Sequence, residues 1–202
     1  MTRSSVVLRE ATVADVDALA EVWGAVLRRA EPDEQRDDVR RLVAEAAENP
    51  AARIVVAEHD GTVAGAVYLL ATTLTPINLE PAVMTVSPHV LPHFRRHGVG
   101  KALMEAAVAF ADEHRVGHLA TAAASASRDG NRFMARLALA PQAVLRVAPV
   151  HAVRAKLNPQ RGGARPVGSR PITQVLAARR SQRQRQRGVG SPVGAGSSGP
   201  VG

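Results

Sequence analysis

No cysteine occurs in the chain, which removes disulfides and cysteine-ligated zinc from consideration and suits a reducing compartment. Aromatic residues are nearly as scarce: Trp23, Tyr68, Phe94, Phe110 and Phe133 are all there are. A core must therefore be built from Ala, Val and Leu, and few rings are available for stacking on nucleic-acid bases. Long apolar runs are missing too. The longest uncharged stretch near mid-chain, residues 61–79, contains Gly65, four threonines, Pro76 and Asn78. It is too broken to span a bilayer and reads better as a buried strand with a loop. Arg9, Glu10, Asp15 and Asp17 interrupt the N-terminus before an apolar signal region can form. A soluble, cytoplasmic protein without a membrane partner is expected.

Negative charge is absent from the last part of the chain. Residues 1–158 carry 18 Lys+Arg against 18 Asp+Glu, whereas residues 159–202 carry eight arginines and no acid, which supplies the whole net charge of +8. The basic character thus belongs to a tail and says nothing about the substrate of the body. Within the tail, Gly and Pro are dense and residues 179–187 read R-R-S-Q-R-Q-R-Q-R. Such a segment buries too little apolar surface to offset its ordering entropy, so disorder is expected there. The expected organisation is a folded domain over 1–158 and a basic tail over 159–202. Nucleic acid is expected, if anywhere, only at that tail.

What is present in the body is a readable order of elements. Residues 6–9 suit a strand, and Thr12 to Asp15 resembles a capping box with Asp in place of Glu. Val13, Val16, Leu19, Ala20, Trp23, Val26 and Leu27 follow at helical spacing, and a second helix is expected from about 34 to 48. Residues 53–58 and 62–73 form a predicted hairpin around His59-Asp60-Gly61. A strand over 82–90 follows, with Pro88 requiring a bulge or an unpaired position. The helix after it is the clearest: Val99, Ala102, Leu103, Ala106, Ala107 and Phe110 line one face. Short strands at 118–124 and 142–147 enclose a helix through Phe133 and Leu137, and 150–157 suits a helix or a strand. This mixed order predicts an α+β fold, a mainly antiparallel sheet flanked by helices.

Between the strand at 82–90 and the helix that follows lies a basic, glycine-bearing turn. Helix starts of this kind offer unpaired N–H groups and a positive dipole end to an anion. A nucleotide P-loop would need glycine where Arg95 stands and a hydroxyl where Ala102 stands; a dinucleotide fingerprint would meet Leu103 at its third glycine. The pattern [RQ]-x-x-G-x-[GA] after V-x-P is matched without a gap by Val90, Pro92, Arg95, Gly98 and Gly100. This resembles the coenzyme A cradle of the GNAT superfamily of N-acetyltransferases, and the element order over residues 6–157 is similar to that fold.

The resemblance implies an N-acetyltransferase that moves an acetyl group from acetyl-CoA to a primary amine of a small molecule or protein, without a metal. It implies that backbone from Arg96 through His97, Gly98, Val99, Gly100 and Lys101 to Ala102 holds the pyrophosphate, with Arg95 adding charge. Strand backbone near Val90 would hold the acyl-pantetheine arm, and Ser127 aligns with an asparagine that contacts that arm in family members. A homodimer is compatible with the family, although a missing last strand would alter how subunits meet. Two departures bear on chemistry. Met134 falls where many members carry a proton-donating tyrosine, and Met84 stands near a position where some place a glutamate. His89 is then the nearest titratable group of suitable pKa and the candidate base, with Glu80, water relays and prior loss of the amine proton to solvent left open. A catalytically poor acyl-CoA-binding protein on the same fold is the alternative. The acidic run Glu31, Asp33, Glu34, Asp37 and Asp38 lies where the family often forms its acceptor wall, and Trp23 is expected in the core or along that wall.

Overall fold

The computed structural model of the chain describes residues 6–122 and 127–158. The predicted tail lies outside them. The chain divides into two compact units between Ala143 and Val144. The first carries a sheet of five strands in sequential order: β1 (Val6–Glu10), β2 (Ala52–His59), β3 (Thr62–Thr73), β4 (Pro81–Val90) and β5 (Leu119–Thr121). The first four pair antiparallel, and β5 pairs parallel to β4. A parallel neighbour requires a crossover, and helix α3 (Val99–Glu113) provides it.

The alternating pattern of β2 explains the layering. Ile54 and Val56 face a cluster built with Val16, Leu19 and Trp23 of α1 (Val16–Trp23) and Val39 and Val43 of α2 (Pro32–Glu48). Val55 and Ala57 point the other way, into a cluster with Val99, Leu103, Ala107 and Phe110 of α3. Phe110, Leu19 and Leu103 are fully buried, so cutting any of them to alanine is expected to cost about 2–5 kcal/mol. The predicted mixed sheet with helices on both faces is therefore what the chain forms. α2 starts at Pro32 itself, as suits a residue whose missing N–H is not needed in the first turn.

Two expectations change. Residues 142–147 are not a strand: Val144, Leu145 and Val147 are 71%, 87% and 86% exposed, so their apolar side chains bury no face. Of the predicted strand at 118–124, residues 119–121 form β5, His118 and Ala122 do not extend it, and Ala123 and Ala124 lie outside the described residues. The open choice at 150–157 resolves as helix α5 (Val150–Leu157), begun by Pro149 and belonging to the second unit.

The entrance to α1 is fixed by a buried carboxylate. Asp15 accepts from the Thr12 backbone N–H at 2.7 Å and from both terminal nitrogens of Arg9 at 2.8 and 2.6 Å. Arg9 also donates through Nε to Glu58 at 2.7 Å, tying β1 to β2. These bonds, that with Arg9 first, hold the Asp15 pKa down to about 2 from its ordinary 3.8. A folded value below the unfolded one contributes stability that is complete above about pH 4 and lost as pH falls through about 2. Because Arg9 is partly exposed, the contribution is about 1–2 kcal/mol. Asp15→Asn should lower the urea midpoint at pH 7, and the gap to the unaltered chain should narrow only below about pH 4. A gap that stays constant from pH 7 to pH 2 would contradict this account.

Candidate active site

Two neighbouring strands part where the chain prepares a site. Pairing between β4 and β5 runs from Val83↔Leu119 to Thr85↔Thr121, where β5 ends, while β4 continues to Val90. The last rung is reinforced: Thr85 Oγ1 donates to the Ala120 carbonyl at 3.1 Å and Thr121 Oγ1 to the Thr85 carbonyl at 3.0 Å. On its other edge β4 loses register with β3. Tyr68 faces Val86 and Ala66 faces His89, so Ser87 and Pro88 together oppose Val67. This is the bulge that Pro88 demanded, and Ser87 turns through it at φ +47°. The Ser87 carbonyl accepts the indole N–H of Trp23 at 3.0 Å.

Directly beyond Val90 the chain makes a 3-10 turn at Pro92–Phe94 and then opens α3. Arg96 and Gly98 both take left-handed conformations, φ +67° and +85°. Alternation of this kind curls backbone N–H groups toward a common point. Gly98 has no side chain to cap the helix, and the first helical bond is the Ala102 N–H to the Gly98 carbonyl at 3.0 Å. The amides of Val99, Gly100 and Lys101 are thus outside the helical ladder. A Cβ on Gly98 would project into open space with no atom within 4 Å, whereas one on Gly100 would rest at 3.6 Å from Phe133 and 3.7 Å from Val90. The surface at Gly98 is therefore bare backbone. Ala102's amide is already committed to the helix, which leaves it a small side chain beside the turn.

The charged groups are distributed unequally. Arg95, Arg96, His93 and His97 are exposed or nearly so around the turn, and the His97 ring nitrogen Nδ1 lies 2.9 Å from the Arg95 carbonyl. Lys101, also exposed, pairs with Glu105 at 3.0 Å one helical turn on, so it must leave that partner to meet a phosphate. The turn is braced from the β2–β3 hairpin, where the His59 ring lies 5.5 Å from Phe94 and 4.9 Å from His97 between centroids.

Among titratable groups near the bulge, His89 is half-buried. It lies opposite Ala66, on the sheet face of α1 and α2. Burial, and secondarily the positive charge of Arg95, lower its pKa from the ordinary 6.5, which favours a neutral imidazole near pH 7. Tyr68 shares that face two residues along β3, opposite Val86. Although it lies on a different strand from His89, the pairing of β3 with β4 puts it beside the bulge. Glu80 precedes β4 at its far end, about 20 Å or more from His89 by strand rise, and meets the His118 ring at 3.3 Å. It is no partner for His89. Met134 is buried in α4 (Arg128–Arg136), and a thioether has no proton to give.

Ser127 caps α4: its Oγ accepts the Gly130 N–H at 3.2 Å, an arrangement that still leaves its own O–H proton to donate. The acidic run around α2 is largely internally neutralised. Asp38 and Glu34 pair with Arg28 at 2.6 and 3.0 Å, Asp33 with Arg36 at 2.5 Å, and Asp37 with Arg40. Gly65 is a residue that sequence reasoning missed. It lies opposite Val90, and a Cβ there would sit 2.5 Å from the His89 carbonyl oxygen, 3.1 Å from Val99 Cγ1 and 3.3 Å from Val90 Cα. Only glycine lets β3, the end of β4 and the start of α3 meet so closely. Its signal in the sequence was a lone glycine inside a strand.

Among the described residues no cluster of three metal-ligating side chains occurs, and no helix is long and apolar enough to cross a membrane. Residues 17–138 match the family model described as the acetyltransferase (GNAT) family. None of the curated proteins matches the sequence. Solved structures do match in fold. A transcriptional regulator from Bacillus halodurans C-125 is 18% identical with a TM-score of 0.60, over 72% of this chain and 100% of that one. AAC(6')-Iy in complex with a bisubstrate analogue, CoA-S-monomethyl-acetylneamine, is 17% identical with a TM-score of 0.61, over 72% and 99%. Glucosamine-6-phosphate N-acetyltransferase from Arabidopsis thaliana is 15% identical with a TM-score of 0.58, over 72% and 99%.

Proposed function

Because the chain belongs to the GNAT acetyltransferase family, we propose that it transfers the acetyl group of acetyl-CoA to a primary amine of a small molecule or protein. The observation that carries this reading is the continuity of two features. A strand with a bulge, which among the described residues runs on past its last pairing with β5, leads directly into an uncapped helix start with bare backbone at Gly98. The first suits an extended amide-bearing arm, the second a pyrophosphate, and their order along the chain is the order of those groups in acetyl-CoA. In this reading the amides from Arg96 to Lys101 hold the pyrophosphate, Arg95 and Arg96 supply positive charge, Val90 flanks the arm, and Ser127 donates its hydroxyl proton to it. The rim of the cradle is completed by exposed His97 and half-buried Ala102.

In the transfer, the amine lone pair attacks the thioester carbonyl, a C–N bond forms, the C–S bond breaks and the thiolate takes up a proton. The acceptor must arrive neutral or lose a proton at the site. In this reading His89 takes that proton, directly or through water, and the lowering of its pKa by burial favours the unprotonated form near pH 7. The rate of the chemical step should therefore rise with pH along a limb whose apparent pKa lies below that of free imidazole. His89→Gln should remove the limb and slow the step by about 10²-fold or more. An unaltered rate and profile in that variant would take the base role from His89. Buried Met134 favours a second reading, an acyl-CoA-binding protein of poor catalytic power on the same fold. A screen of amine acceptors with free-thiol release as the readout, run on protein shown to bind coenzyme A, separates the two. Thiol release with an amine supports transfer, and binding without release across the screen supports the second reading.

A further inference from the structure

Trp23 ends α1 and is 3% exposed within the cluster of α1, α2 and the facing strands. Phenylalanine could supply that packing. What the indole adds is an N–H, and this donates to the Ser87 carbonyl at 3.0 Å, across 64 positions of sequence. Ser87 is where β4 leaves regular structure. It stands in the bulge against β3, and it lies beyond Thr85, where pairing with β5 stops. Two restrictions meet there. A residue before proline is driven mainly to extended conformations, and a non-glycine residue at positive φ is uncommon. Ser87 nevertheless holds φ +47°. Among the described residues neither neighbouring strand continues regular pairing through Ser87, and a carbonyl left without a donor beside a buried ring would carry a desolvation cost. The hydrogen bond from α1 meets both needs.

We propose that Trp23 is a positioning residue for the acyl donor: its indole N–H holds the Ser87–Pro88 bulge in the conformation that keeps the β4 edge open. The role rests on the acetyl-CoA reading above. Trp23 touches no reacting atom in this account and acts only through the backbone it holds. Because it is the sole tryptophan of the chain, its indole is also a single spectroscopic reporter of that bulge.

The test is calorimetric titration of coenzyme A into the full chain and three variants. Trp23→Phe keeps a ring and deletes the donor, and affinity should fall about tenfold. Ser87→Gly makes positive φ accessible without side-chain strain, so adding Trp23→Phe to it should cost about threefold or less. The same loss in both backgrounds, or no loss in either, overturns the proposal and leaves Trp23 a packing residue. Should Trp23→Phe not fold, the indole N–H resonance of the unaltered chain decides. It should exchange slowly with solvent and shift on saturation with coenzyme A; rapid exchange with no shift overturns the role. Absence of coenzyme A binding by the unaltered chain is a different outcome, which overturns the acetyl-CoA reading itself and this role with it.

Discussion

Replacing Gly98 with valine is expected to weaken coenzyme A binding at least tenfold, equivalent to about 1.4 kcal/mol or more. Two effects add. Gly98 holds φ +85°, a region that an L residue enters at a cost and a β-branched one at greater cost. In addition, its missing Cβ faces open space on the surface where the backbone would meet phosphate, so added bulk stands between the amides and the anion. Gly98→Ala separates these effects, because it shares much of the backbone cost and adds little bulk. Valine should therefore lose more affinity than alanine when both are titrated in the folded state. Equal, unchanged affinity in folded Gly98→Val would remove the helix start from the binding site.

Gly65→Ala should be damaging although it adds one methyl group. The new Cβ would meet the His89 carbonyl oxygen at 2.5 Å, and this tightest contact is to backbone, which cannot give way as a flexible side chain could. Accommodation requires β3 to move from the junction of β4 and α3, at an overpacking cost of about 1–3 kcal/mol. The displaced backbone is that which leads into the cradle, so coenzyme A affinity should fall together with the denaturant midpoint, by about tenfold. Native stability together with native affinity in Gly65→Ala would show that the junction is looser than these distances imply.

Local chemistry explains which parts of this arrangement could be read before folding. The span of β3 follows from a long β-compatible run and the face of α3 from a period-3.6 pattern, and the bulge follows from a proline that cannot donate in a ladder. The helix start at Gly98 follows from glycine and basic residues after a strand. By contrast, Gly65 acquires its role from atoms of His89, Val90 and Val99, none near it in sequence. The same holds for Trp23, whose partner Ser87 is reached only when α1 packs on the sheet. Register, not composition, separates Glu80 from His89 and brings Tyr68 opposite Val86. Residues 142–147 show the converse error, since their apolar, β-compatible composition carries no information about whether another surface covers them.

The chemistry is less determined by the chain than the cradle is. His89 combines half-burial, a lowered pKa and a place on the face of α1 and α2, and burial favours the neutral imidazole that the proposed base role calls for. Proton delivery to the departing thiolate has no such candidate at Met134. Tyr68, the sole tyrosine of the chain, lies on the same face as His89 and opposite Val86, and Tyr68→Phe is the natural companion variant in the acceptor screen.

The measurement closest to the central claim follows the backbone amide resonances of the full chain during titration with coenzyme A. If main-chain N–H groups at the start of α3 bind the pyrophosphate, the largest shifts should fall on the amides from Arg96 to Lys101 and should saturate together. Smaller shifts should run back along β4 toward Ser87. Binding that moves amides elsewhere and leaves Arg96 to Lys101 unchanged, or no binding at all, would contradict the account.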